Sequence, residues 1–228
     1  LLLLKLIDAL TTGMEGKLAD LRKGRTQVIE TNHTIILGWS SKIFDIINEL
    51  IIANENQHNP SIVILASKDR IEMQEIISQK IDENKNTKII CRNGDPMSIH
   101  DLNILSPNNA RSIIILAPFN DNPDVSVIKT ILAITNNPQR TKQKFHIVAE
   151  IKERNNIEVA RIAGTDEVIF VHADEIIARI IAQSGRQSGL SIILSMIFVA
   201  LSMLLSFKYD EIYFKYEPLL IGKTFHDA

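Results

Sequence analysis

The sequence has one cysteine, Cys91. That excludes an internal disulfide, and with it the disulfide-stapled secreted scaffolds. Cys91 lies in the apolar run KIICR with no histidine close to it in sequence. It reads as a small buried residue in a reducing compartment, not as a nucleophile. Aromatic residues make up 5% of the chain, too few for a base-stacking platform. Neither sign of charge dominates: 25 Lys+Arg against 27 Asp+Glu leave a net charge of −2. No general attraction to nucleic acid follows from that balance, and none is expected as a partner. The six histidines do not pair at metal-ligand spacing, and H-x-x-x-H, C-x-x-C and G-x-S-x-G are all missing. No trio of residues suggests a nucleophile with its base and orienting acid, so the chain is not expected to be an enzyme. Repeats, low-complexity tracts and a secretory cleavage site are also missing.

What is present is a series of short apolar runs alternating with helical spacings. Hydrophobic residues at 45% and charged residues at 23% suit a folded core. TIILGW (34–39) reads as a strand, and Ile43, Ile46, Ile47 and Leu50 follow at helical spacing. SIVILA (61–66), TKIIC (87–91), RSIIILA (111–117), FHIVAE (145–150) and EVIFV (167–171) read as further strands. Helices are expected over 69–81, 98–104, 124–135, 155–162 and 174–184. Strands this uniformly apolar are buried on both faces, as in a parallel sheet. The expected class is α/β, a Rossmann-like doubly wound parallel sheet of about six strands with helices on both sides.

The flanks differ from this block. Residues 1–12 are apolar apart from Lys5 and Asp8, and Lys17, Arg22, Lys23 and Arg25 follow. An apolar helix end followed by basic residues resembles the cytoplasmic flank of a transmembrane helix; an amphipathic surface helix is the alternative. The start, without an initiator Met, reads as the cut end of a longer apolar segment. Residues 190–207 hold 18 positions without a charge, punctuated by Ser195, Ser202 and Ser206. By length they qualify as a membrane span; the other reading is a packed or subunit-crossing helix. The expected division is 1–32 as apolar end and basic linker, 33–172 as the Rossmann-like lobe, 173–208 as crossover helices and 209–228 as the start of a small β unit.

Four places are candidate sites. The turn Gly38-Trp39-Ser40-Ser41-Lys42-Ile43 stands where a dinucleotide fingerprint would carry G-x-G-x-x-G, but only Gly38 matches. Ser40 narrows the approach to a pyrophosphate and Ile43 would push the helix from the strand. Lys42 and the helix N-terminus still suit an anion. Past the second strand, Lys68 suits a phosphate, and Asp69 is either a late ribose ligand or a helix N-cap. In CRNGDP (91–96), Gly94 permits a sharp turn, and Arg92 and Asp95 face the carboxyl edge of the sheet. Glu150, at the end of the fifth strand, could hold Ca2+ with Asp95, Asp121 or Asp124. Each has a structural alternative: turn, cap or solvated rim carboxylate.

These pieces, in this order, resemble the cytosolic RCK (regulator of conductance) region, TrkA-N-like, of bacterial relatives of the plant CASTOR/POLLUX ion channels. The resemblance is carried by TTGMEGKLADLRKGRTQVIE (11–30), HTIILGWSSKIFDIINEL (33–50), ICRNGDP (90–96), Asp101-Leu102 with ARSIIIL (110–116), AGTDEVI (163–169) and DEIYFKYEPLLIGKTF (210–225). It implies a ligand-sensing gating domain on the cytoplasmic side of the cell membrane, in a tetrameric channel assembled through its pore and a gating ring. The implied regulatory ligand is Ca2+ or an NAD-like nucleotide, and the implied permeant ion is potassium or a mixed cation. Two departures stand out. Lys152 occupies the place of a second acid that calcium-gated relatives carry beside Glu150, and Ser67 stands where some relatives have an acid. The rival readings are an NAD-dependent oxidoreductase and a peripheral nucleotide-sensing subunit of a potassium uptake system.

Overall fold

A computed structural model describes residues 26–81 and 85–187, and beyond them Gly189, Ile192, Ile193, Met196 and Ile197. The expectations for residues 1–25 and 198–228, and most of those for 190–207, lie outside the described residues. No helix among the described residues is long and apolar enough to cross a membrane.

Six strands form one sheet: β1 His33–Leu37, β2 Ser61–Ala66, β3 Lys88–Asn93, β4 Ala110–Ile115, β5 Ile147–Glu150 and β6 Val168–Val171. Their order is β3-β2-β1-β4-β5-β6 and every pairing is parallel. The chain first winds outward to β3, then returns past β1 to β4, so β1 and β4 flank the switch point where ligands enter such sheets. Among the described residues six α-helices connect and follow the strands: α1 Ile43–Ala53, α2 Arg70–Lys80, α3 Ile99–Ile104, α4 Pro123–Thr135, α5 Ile157–Gly164 and α6 Ala173–Arg186.

The two cores follow from the alternation of side chains along each strand. On one face Ile35, Leu37, Val63, Leu65, Ile113 and Ile115 pack with Val127, Ile131 and Ile134 of α4. On the other, Ile36, Ile62, Ile64 and Cys91 pack with Ile43, Ile47 and Ile51 of α1 and with Met73 and Ile77 of α2. The i, i+4, i+8 isoleucines of α1 are thus its buried stripe, each worth roughly 1.5–3 kcal/mol of burial. Ile43 therefore belongs to the core that joins α1 to β1, the reverse of a wedge between them. Burial also pushes the Cys91 thiol up to about 11, where it is inert at neutral pH.

The segment before β1 is fastened to the domain. Val28 N–H donates to Ile104 O at 2.7 Å and Asn32 N–H to Asn109 O at 2.8 Å. Ser106 Oγ donates to Val28 O at 2.6 Å, and Arg92 Nε to Thr26 O at 2.8 Å. Residues 26–32 are therefore held against β3, α3 and the turn before β4.

Candidate functional site

A cleft of about 500 Å³ opens at the carboxyl ends of β1, β2 and β4. Gly38 and Trp39 enter it from β1, Ser67 and Lys68 from β2, and Asp95 from the turn after β3. Phe119, in the loop after β4, and Ser126 and Thr130 of α4 close the far side.

Gly38 has a φ of +94°, and a Cβ there would lie 2.9 Å from Leu116 O. Its N–H donates to Leu65 O at 2.9 Å, while Leu116 N–H donates to Leu37 O at 2.9 Å. The glycine thus lets β1 turn away at the point where β4 passes closest. Trp39 meets Phe44 edge-on, with ring centroids 5.8 Å apart, and Lys68 Nζ lies 5.8 Å from the Trp39 ring. A cation over an indole face is a modest attraction of about 0.5–1 kcal/mol when exposed. Lys68 also pairs with Glu72 at 2.6 Å.

The other residues singled out in the sequence are placed differently. Lys42 does not line the cleft: its Nζ is 2.5 Å from Glu150 Oε1. The second Glu150 oxygen accepts Ala117 N–H at 3.2 Å. Ser40 Oγ is buried with no hydrogen-bond partner among the described residues, and Ser41 is exposed. Asp69 caps α2, accepting Ile71 N–H at 2.8 Å and Glu72 N–H at 3.1 Å. Gly94 is buried, and a Cβ there would press on Leu65 Cδ1 at 2.9 Å and Asp101 Cβ at 3.0 Å. Arg92 turns from the switch point to a second cleft along β3, where it hydrogen-bonds Thr26 O and Cys91 O.

The carboxylates differ in how free they are. Asp95 lines the switch-point cleft, and its Oδ1 accepts Met97 N–H at 2.9 Å. Asp124 is buried and accepts three donors: Lys152 N–H at 2.8 Å, Glu153 N–H at 2.9 Å and Asn156 Nδ2 at 2.7 Å. Those bonds pin the turn after β5 to α4, and a cation at Asp124 would have to compete with them. Among the described residues no group of three or more His, Cys, Asp or Glu side chains comes together as a metal site would require.

Sequence reasoning found the β1, β2 and β3 contributions to the cleft but missed Phe119, Ser126 and Thr130. Phe119 is 97% exposed; a large aromatic directly after a strand at the sheet's carboxyl edge was the available signal.

Residues 30–149 match the family model for the calcium-activated potassium channel slowpoke-like RCK domain. The chain is 36% identical over 225 residues to the probable ion channel CASTOR of Oryza sativa subsp. japonica, covering 98% of this chain and 24% of that protein. It is 27% identical over 174 residues to the calcium-gated potassium channel TvoK of Thermoplasma volcanium, covering 75% of this chain and 44% of that protein. The backbone aligns with the crystal structure of the GsuK RCK domain at a TM-score of 0.45 and 20% identity, over 65% of this chain and 28% of that one. The chain spans about a quarter of the length of the CASTOR relative.

Proposed function

The chain belongs to the calcium-activated potassium channel slowpoke-like RCK domain family, and from that premise we propose that it is the ligand-sensing gating domain of a tetrameric cation channel. It works on the cytoplasmic side of a membrane and contains no turnover step. The observation that carries the reading is the switch-point cleft, joined through β1 to a segment fastened on its other side to β3 and α3. A ligand between the β1 turn and the loop after β4 favours one spacing of those elements. Because residues 26–32 are held against β3, α3 and the turn before β4, that preference reaches the chain leading toward the pore. This is a coupling free energy between two sites, reciprocal by thermodynamic necessity.

The cleft favours a nucleotide-type ligand over a bare cation. Trp39 offers a ring face, and Lys68 a positive charge for a phosphate. Ser67 replaces the acid that would take a ribose diol, and its hydroxyl donates to Gly94 O at 3.3 Å. Glu150 already holds Lys42 and Ala117 N–H, so a cation there displaces an existing pair. Calcium, which the family's description and the TvoK relative both name, is the second reading, through Glu150 and Asp95.

The test is thermal unfolding of the chain against NAD+, NADH, ATP, K+ and Ca2+. A ligand that binds only the folded state raises the midpoint with its concentration. A nucleotide shift that Lys68→Gln abolishes supports the proposal, and flux through the full-length channel in liposomes should respond to the same nucleotide. A shift with Ca2+ alone transfers the site to Glu150 and Asp95. No nucleotide shift refutes the nucleotide-type ligand.

A further inference from the structure

A second cleft, of about 360 Å³, runs along the free edge of β3, between that strand, the start of α2 and residues 27–30. Arg70, Lys88 and Arg92 face it against one acid, Glu30. Glu30 is already engaged, with Lys88 Nζ 2.6 Å from its carboxylate. That leaves two guanidiniums in the cleft without a carboxylate partner among the described residues. Arg92 gives Nε to Thr26 O and one terminal nitrogen to Cys91 O. The Nε of Arg70 is shut off from solvent and has no hydrogen-bond partner among the described residues. Its neighbour Asp69 does not serve it, having turned both its accepted bonds onto the N-terminus of α2.

Such an arrangement is costly when empty. A buried donor without an acceptor loses hydration with nothing in return, and two like charges share a half-enclosed space. Burial first, then the Arg70 guanidinium, hold Arg92 below its ordinary value, the direction expected of a cation pressed by another cation. Arg70 is also the first residue of α2, where the helix dipole favours an anion over a cation. All of these costs are relieved by one event, the arrival of a multiply charged anion.

We propose that the cleft between β3 and residues 27–30 is a binding site for a phosphate-bearing polyanion, held by Arg70 and Arg92. Planar guanidiniums match phosphate oxygens in pairs, which a single ammonium cannot do. Gln27 and Gln74 at the cleft wall add amide donors. A bound polyanion ties residues 26–30 more firmly to the sheet edge, since Arg92 already holds Thr26. Any effect on gating rests on the function proposed above; the binding itself does not.

The probe is inorganic pyrophosphate, titrated calorimetrically into the full chain, alongside vesicles bearing phosphoinositide headgroups. Arg70→Gln removes a guanidinium that makes no hydrogen bond among the described residues, so the unliganded variant should melt at or above the wild-type midpoint. It should weaken pyrophosphate binding tenfold or more, while Lys129→Gln, on an exposed position of α4 that lines neither cleft, leaves it unchanged. Binding to the vesicles but not to pyrophosphate, again lost in Arg70→Gln, identifies the polyanion as a lipid headgroup. Equal binding by wild type and Arg70→Gln overturns the proposal. So does no binding of either probe up to roughly 10 mM, beyond which affinity falls below about 3 kcal/mol.

Discussion

Lys42 and Glu150 stand 108 positions apart in the sequence, yet their side chains meet at 2.5 Å where α1 begins and β5 ends. The pair is asymmetric: the Glu150 side chain is 10% exposed, that of Lys42 41%. Removing Lys42 leaves a largely buried carboxylate with Ala117 N–H as its one remaining hydrogen bond among the described residues. Removing the charge of Glu150 leaves an ammonium that can turn to water. Lys42→Met is therefore expected to cost roughly 1–3 kcal/mol, below the value for a fully buried pair because Lys42 is partly solvated. Glu150→Gln, which still accepts Ala117 N–H, should cost less than about 1 kcal/mol. Urea unfolding of both variants decides the matter. Equal losses would mean that the carboxylate is better hydrated than its burial indicates.

Gly38 and Gly94 make a contrasting pair of substitutions. Alanine at 38 must adopt a φ of +94° and place a methyl 2.9 Å from a backbone carbonyl that β4 holds in register. Alanine at 94 needs no positive φ, and its closest contact is the movable end of Leu65, with Asp101 Cβ next. Gly38→Ala should destabilise by about 2 kcal/mol or more, and Gly94→Ala by clearly less. Thermal midpoints of the two variants check the order, and the reverse order would contradict the close approach of β1 and β4.

The ease with which these elements are read from the sequence tracks how local their causes are. SIVILA is buried at all six positions, and an uninterrupted apolar run of that length has few other uses than a central strand. Ile43 and Ile47 were legible in the same way, whereas Ile46 and Leu50, expected beside them, are only half-buried and Ile51 completes the stripe. FHIVAE is more ambiguous: its strand begins only at Ile147, because Phe145 spends its N–H on Glu167 instead of the ladder. In the cleft, Gly38, Trp39, Lys68 and Asp95 were legible because they follow strands directly. Lys42 looked equally eligible, but its charge is committed to Glu150. No local pattern could reveal a partner brought in by four successive strand connections. Arg70 went unnoticed for the same reason, since in sequence it is merely a polar helix start.

Asp124 is expected to be more important to the fold than its place in a polar loop-to-helix junction suggests. The residue is 3% exposed, and its carboxylate satisfies two backbone N–H groups and one side-chain amide. Asp124→Ala leaves all three donors without their acceptor and should cost roughly 2–4 kcal/mol. Asp124→Asn keeps one oxygen and should lose about half as much. Amide hydrogen exchange at Lys152 and Glu153 gives the local readout: protection there should fall in both variants more than at Ile113 or Ile147 in the central strands. Unchanged protection would mean that the turn is held by other contacts.

His33 supplies a pH dependence whose sign can be worked out. It is buried at the start of β1, with Nε2 2.9 Å from Leu105 O and no hydrogen-bond partner for Nδ1 among the described residues. That geometry fits the neutral ring with its proton on Nε2. Burial holds the imidazole below its ordinary value of 6.5, outweighing the Leu105 hydrogen bond and the charge and backbone carbonyl of Glu30, which act the other way. The unfolded chain then takes up a proton at His33 as pH falls through about 6.5, while the folded chain does not. In that window the unfolded state binds more protons, so stability must fall with pH and recover above it. His33→Gln keeps a donor for Leu105 O but cannot titrate. Midpoints of wild type and His33→Gln, compared between pH 7.5 and 5, should therefore diverge, with the wild type losing more. Parallel curves would mean that the folded ring titrates normally, and the solvent-free seat of Nδ1 would have to be abandoned.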